Sequence, residues 1–460
     1  MTGFTPPYPC PNKNKSSFFL RFFRGWRSWL DALFERSYRM KMGQYRLPGL
    51  KVYMVNEPTL VRQILNKQPK QYPKHQLIHK MLEPLLGNSI FTTNGEIWER
   101  QRRLMDQAFE QARLKLVFPL MRDAVSAMES RLDQVADGSP YSVDAEMTHV
   151  TADIIFRTIL TSPLSDRAAH DVFENFIKFQ RDTLRATVLE LYHLPAWFFR
   201  NAAARCASTI RGVLAAVIRE RYEARERGED SGCHDILAAL MDAVDPVQGD
   251  RFTYQEMVDQ VCMLFLAGHE TSASALAWSL YLLSNSPEIQ LEMLEEIESV
   301  TAGKQIEFSD LKKFRSTWNL FRETLRLYPP VGFFVREATE SHCMRDKHIQ
   351  PGSAVMVSPW LIHRHRDYWE RPDEFDPCRF DTEAGKESAR NAYLPFSQGE
   401  RVCIGAAFAT QEAILILASL VRRYEIMPVP EHIPQCVGRV TIRSDNGIMV
   451  KLKKRDLEIN

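Results

Sequence analysis

No C-x-x-C pair occurs in this chain of 460 residues, although it carries eight cysteines: Cys10, Cys206, Cys233, Cys262, Cys343, Cys378, Cys403 and Cys436. That scatter excludes the ligand spacing of a structural zinc site and lacks the density of a secreted disulfide scaffold, so free thiols in a reducing compartment are expected. No stretch reaches the roughly 18 consecutive apolar residues that a transmembrane helix needs. No basic segment leads into an apolar run at the start, so no signal peptide is expected. Neither sign of charge dominates: 59 Lys and Arg face 58 Asp and Glu, a formal net charge of +1. Such a balance supplies no global field to steer the protein to nucleic acid. Internal repeats and low-complexity tracts are absent.

What is present is an ordinary globular composition, 45% hydrophobic and 25% charged. The chain is long enough to bury a large core and enclose a cofactor. Phe18 to Met40 mixes Phe18, Phe19, Phe22, Phe23, Trp26 and Trp29 with Arg21, Arg24, Arg27 and Arg36. It reads as a first helix with its aromatic face on the body, because Trp26, Trp29 and Phe34 lie near helical spacing; peripheral membrane contact is the alternative. Residues 49–56 read as a strand, with Tyr45 to Leu47 as partner. From Glu96 to about Ala243 the periodicity is helical, broken near Pro119, at Pro140, at Pro163, near Pro195 and at Gly228. Thr253 and Glu256 form a capping box that opens a long helix, free of proline to about Ser284. Further helices follow Pro287, cover Leu311 to Leu327 before Pro329-Pro330, and run from Gly405 to about Arg423. Ala354 to Val357 reads as a strand, and Val440 to Leu452 as a strand pair turning at Asp445-Asn446-Gly447. The fold class is mainly α with a minor β portion. No linker divides the chain, so one domain over 1–460 is expected, with 1–45 as an N-terminal segment and 46–460 as the body.

Chemistry concentrates in Pro395-Phe396-Ser397-Gln398-Gly399-Glu400-Arg401-Val402-Cys403-Ile404-Gly405. This is a loop running into a helix, where unpaired N–H groups and the helix dipole favour a thiolate. Gly399 and Gly405 allow backbone to approach a flat ligand closely, and Arg401 suits a carboxylate at its rim. The spacing Phe-x-x-Gly-x-Arg-x-Cys-x-Gly resembles the haem-binding signature of the cytochrome P450 family. Further motifs of that family recur in order over nearly the whole chain. They are Trp98 four residues before Arg102, then Ala267-Gly268-His269-Glu270-Thr271, then Glu323-Thr-Leu-Arg326, then Pro372, Phe375, Pro377, Arg379 and Phe380. A zinc-protease reading of His269-Glu270 fails, because Ala273 stands where the second His would be.

The resemblance implies the P450 fold, with haem b between the long central helix and the helix after the cysteine loop. It implies Cys403 as axial ligand to the haem iron, and Arg401, Arg102, Trp98, Arg336, Phe396, Gly268 and Ala267 around the cofactor. Thr271 and Glu270 would be catalytic, the hydroxyl as hydrogen-bond partner of dioxygen and the acid as proton relay. Glu323, Arg326 and Arg379 would form a buried charge network that braces the cysteine loop. The implied reaction is insertion of one oxygen atom from O2 into a lipophilic substrate, with electrons from NAD(P)H through a separate ferredoxin or flavodoxin-type donor. Arg100, Arg103, Arg113 and Lys115 are candidates for a basic docking face toward that donor. A peroxide-driven enzyme, an isomerase or dehydratase on the same fold, and a non-enzymatic haem sensor remain as alternatives. The expected protein is cytoplasmic and monomeric, without a transmembrane anchor or nucleic-acid partner. His363 and His365, and the group His342, Cys343 and His348, are read as solvated or locally bonded, since neither completes a metal shell.

Overall fold

A computed structural model describes residues 4–13, 27–47, 50–161, 166–229 and 232–455. The elements used below are strands β1 (Met42–Leu47) and β2 (Leu50–Val55), then helices α1 (Gln76–Leu86), α2 (Gly95–Ala108) and α3 (Gln111–Leu132). They continue with β3 (Asp137–Ser142), α4 (Val143–Leu160), α5 (Asp166–Leu191), α6 (Trp197–Glu226), α7 (Tyr254–Ser284), α8 (Pro287–Thr301) and α9 (Arg315–Leu327). After the double proline come β4 (Phe334–Glu337), β5 (His342–Met344), β6 (Lys347–Ile349) and β7 (Ala354–Val357). The chain closes with α10 (Ala406–Arg423), β8 (Tyr424–Pro428), β9 (Cys436–Gly438), β10 (Ile442–Ser444) and β11 (Met449–Lys454). The class is mainly α with small sheets, as the periodicity predicts.

The long helix α7 is the axis of the molecule. Thr253 caps it, accepting from the Glu256 amide while the Glu256 carboxylate accepts from the Thr253 amide. Its residues are buried nearly all round, with contacts to α1, α4, α6, α9 and α10. A helix enclosed on every side belongs in the core. A mixed sheet runs in the order β1-β2-β7-β4, with β2 and β7 parallel and the outer pairs antiparallel.

Three expectations need correction. Helix α3 does not break near Pro119 but runs through it. An interior proline costs about 3 kcal/mol, and burial of Leu114, Val117, Phe118 and Met121 on the same helix offsets that locally. The segment 440–452 is not one strand pair. Strand β10 pairs with β9, whereas β11 pairs with β3 and β8 in another sheet. The expected first helix is, in its described part, two short 3-10 turns at Trp29–Ala32 and Glu35–Tyr38, while residues 14–26 lie outside the described residues. Trp29 does pack on the body: its ring meets Phe333 at 5.0 Å. A Cβ at Gly332 would lie 2.3 Å from that indole and one at Gly438 2.6 Å from it, so both glycines are required by the indole.

Candidate active site

The loop before α10 is turned tightly upon itself. The Cys403 amide donates to the Phe396 carbonyl at 2.9 Å, and Val402 closes a short 3-10 turn onto Gly399 at 3.0 Å. Gly399 has φ +77°, and a Cβ there would sit 2.1 Å from the Leu65 carbonyl oxygen. Only glycine meets both conditions. Burial pushes the Cys403 thiol up, against the Gly405 amide and the Arg102 charge.

Four cations gather beside this loop. Arg401 stacks on the buried Trp98 ring at 4.8 Å, and the Lys74 ammonium lies 5.6 Å from the same ring. Arg336 is 8% exposed, and its recorded hydrogen bond is to the Val335 carbonyl at 3.3 Å. Burial and the neighbouring Arg401 pull its pKa down to about 10. Burial, with Arg401, Arg336 and Arg102, holds Lys74 well below the usual ammonium range. Arg401 pairs with Glu400 at 2.6 Å, yet its buried Nε has no partner among the described residues. Arg102 donates to the Val402 carbonyl at 2.7 Å and to Asp106 at 2.8 Å, and does not stack on Trp98. Buried cations that repel one another, with little acid nearby, call for an anionic ligand. Lys74 was missed in the sequence: it follows a proline in a loop, and only the fold carries it to Arg336 and Trp98.

Leu266, Ala267, Gly268 and Thr271 are the half-open positions in the middle of α7. Ala267 and Thr271 share a face, and the Thr271 hydroxyl donates to the Ala267 carbonyl at 2.6 Å. Gly268 has a packing reason of its own, because a Cβ there would lie 2.5 Å from Ile155 Cδ1 on α4. Glu270 is buried and accepts from the Thr441 hydroxyl at 2.8 Å, with Arg443 Nη1 at 3.5 Å from the same oxygen. His269 is buried against Phe265 and Phe176, its Nδ1 within 2.7 Å of the Phe265 carbonyl.

The structure brings Glu323, Arg326 and Arg379 together in a closed network. Glu323 receives Arg326 at 2.7 and 2.8 Å, Arg379 at 3.0 Å and the Asp376 amide at 3.0 Å. Burial would raise its carboxyl, but the two guanidinium charges outweigh that and hold it below the usual range. The remaining guanidinium donors fasten carbonyls of Pro372, Glu374, Glu370 and His363. His363 in turn accepts the Leu394 amide at 2.9 Å, at the entrance to the cysteine loop. His363 and His365 are therefore buried and locally bonded rather than solvated. Burial and Arg326 lower His363 to about 3, so it is a neutral hydrogen-bonding strut.

Two residues of the expected docking face are spent elsewhere. Arg100 pairs with Asp250 and Glu256 at 2.8 and 2.7 Å, and Arg103 with Asp245 at 2.6 Å. Their charge is neutralised within the chain, which corrects the sequence reading. A further group had no sequence signal. Glu412 on α10 is fully buried, neither carboxyl oxygen has a hydrogen-bond partner among the described residues, and burial pushes it up to about 8. The Ser272 hydroxyl on α7 is the polar neighbour that lowers it.

Among the described residues no helix is long and apolar enough to cross a membrane, and no group of three His, Cys, Asp or Glu could hold a metal ion. Comparison with known proteins gives one family description, Cytochrome P450, matching residues 29–451. The chain is 32% identical to cyclooctatin synthase of Streptomyces melanosporofaciens over 84% of this chain and 83% of that one. It is 29% identical to cyclooctat-9-en-7-ol 5-monooxygenase of the same organism, over 88% and 86%. It is 28% identical to pentalenene oxygenase of Streptomyces avermitilis, over 89% of each chain.

Proposed function

From the premise that this chain belongs to the cytochrome P450 family, we propose that it oxidises a cyclic terpenoid hydrocarbon or alcohol at carbon. The coarser activity follows from the family and its named monooxygenase relatives. The protein is a haem-thiolate monooxygenase that inserts one atom of O2 into a lipophilic small molecule, using haem b and electrons from a redox partner. Cyclic substrates are inferred from the names of pentalenene oxygenase and cyclooctat-9-en-7-ol 5-monooxygenase. Apolar side chains left partly open around α7 and the double proline, among them Ile78, Met81, Leu266, Val331 and Phe333, suit such a ligand. The donor is a separate ferredoxin or flavodoxin-type protein, and the enzyme works as a cytoplasmic monomer.

The observation that carries the cofactor assignment is the cationic group beside Cys403. Haem b bears two carboxylates; among the described residues Arg336 pairs with no acid, Lys74 is held by the Ile90 and Thr93 carbonyls rather than by a carboxylate, and Arg401 keeps an unpartnered Nε beside its pair with Glu400. Cys403 would hold the iron, while Phe396, Trp98 and Arg102 shape the wall around it. Bound haem supplies reductive activation of O2. The protein supplies the rest. Thr271 offers a hydroxyl on the open face of α7, Glu270 stands one residue away as the relay acid, and the apolar wall orients the substrate and keeps water out.

The test is the absorption spectrum of the reduced protein under carbon monoxide, for wild type and Cys403→Ala. The wild type should show the strongly red-shifted Soret band of thiolate ligation, and the variant should lose it. A band of histidine-ligated haem in the wild type would end the assignment of Cys403. Titrating the oxidised enzyme with pentalenene tests the substrate class: a saturable spectral change is expected. Saturation only with straight-chain fatty acids would overturn the terpenoid reading and leave the haem assignment standing.

A further inference from the structure

We propose that Thr441 and Arg443, on and beside the C-terminal strand β10, are positioning residues that hold the Glu270 carboxylate on the proton-entry side of α7. The inference rests on the reading that Glu270 and Thr271 relay protons. Successive residues of an α-helix point about 100° apart, so Glu270 cannot occupy the open face that Thr271 shares with Ala267. Its oxygen instead meets the Thr441 hydroxyl at 2.8 Å and Arg443 at 3.5 Å. The Glu270 side chain is 7% exposed and that of Arg443 26% exposed, so the contact leads from a buried acid outward to solvent. The Thr271 hydroxyl is meanwhile committed to the Ala267 carbonyl. Both ends of the relay are therefore held by other partners, and the acid takes its protons on the side where the β9–β10 pair lies.

That placement is fixed at three points. Four residues beyond Glu270 on the same helix face, the Ser274 hydroxyl donates to the Ile442 carbonyl at 2.5 Å. The Ile442 amide donates to the Pro330 carbonyl at 2.9 Å, which ties β10 to the turn that follows α9. Thr441 is itself buried, so its hydroxyl cannot trade Glu270 for bulk water. Arg443 also lies within electrostatic reach of Asp144 on α4, and so sits between two carboxylates. None of these residues belongs to a motif in the sequence. The hairpin reaches α7 only through the fold.

The overall reaction consumes one O2, two electrons from the donor and two protons, placing one oxygen atom in the substrate and releasing the other as water. Proton supply is the part that Glu270 would control, and an ordered carboxylate delivers faster than a wandering one. Thr441→Val and Arg443→Gln should each slow substrate-dependent oxygen consumption roughly fivefold, the rate equivalent of one hydrogen bond, and enlarge the solvent deuterium isotope effect. Substrate affinity and the carbon monoxide spectrum should not change. Thr441→Ser and Arg443→Lys should restore much of the rate.

The decisive comparison is a double-mutant cycle with Glu270→Gln, run both on rate and on thermal stability of the resting holoenzyme without turnover. Arg443→Gln should add little to Glu270→Gln in either readout. If Glu270→Gln leaves rate and isotope effect unchanged, the relay role of Glu270 fails. If Glu270→Gln acts strongly while Thr441→Val and Arg443→Gln are silent, Glu270 stands and the proposal for the hairpin is overturned. A merely structural hairpin would lower stability and substrate affinity without moving the isotope effect, and that result also overturns it.

Discussion

Replacing Glu323 by alanine is expected to destabilise the protein by about 3–5 kcal/mol, the cost of removing one partner from a buried ion pair. Two arginines would then be left facing each other, since Arg326 is fully buried and Arg379 nearly so. The loss would be a large share of the roughly 5–15 kcal/mol that keeps a domain folded. It would also reach the cysteine loop, because Arg326 and Arg379 hold the carbonyls of Glu370, Arg371, Pro372, Glu374 and His363. His363 in turn carries the Leu394 amide just before that loop. The variant should therefore lose haem retention together with stability. Glu323→Gln keeps the shape and an acceptor without the charge, and should fall between. Denaturant unfolding and haem content after gel filtration check both. A loss below about 1 kcal/mol for the alanine variant, in the range of an exposed pair, would mean that the network does not bear on folding.

The second large effect concerns pH. Glu412 has a carboxyl raised by burial to about 8, well above its ordinary value near 4.5. Between those values the folded protein holds a proton that the unfolded chain has released. The resulting stabilisation is complete below about 4.5, declines as pH rises through about 8, and is constant above. Its full size is on the order of 5 kcal/mol. Glu412→Gln has no proton to lose. The stability difference between wild type and variant should therefore move against the wild type from pH 5 to pH 9. Midpoints of denaturant unfolding measured on both proteins across that range give the answer. A flat difference would show that the carboxyl is hydrogen-bonded or hydrated in the folded protein.

The sequence by itself determined the helical class, the long proline-free helix with its capping box, and the strands 50–55 and 354–357, because these follow from local periodicity and turn chemistry. It also exposed the cysteine loop, since Gly399, Arg401 and Cys403 lie close together in the chain and their spacing is itself the signal. Where a decisive interaction joins distant residues, local pattern had nothing to report. Helix α3 accepts Pro119 because tertiary burial outweighs an unfavourable backbone. Arg100 and Arg103 look free in the chain and are paired in the fold with acids about 150 residues away, at Asp250, Glu256 and Asp245. Lys74 joins the cationic group, Glu412 lies buried beneath α7, and Thr441 and Arg443 hold Glu270 only because packing brings their segments together. Charge pairing and burial act across space, without regard to separation along the chain, and so only the tertiary structure decided which of the many charged residues surround the site.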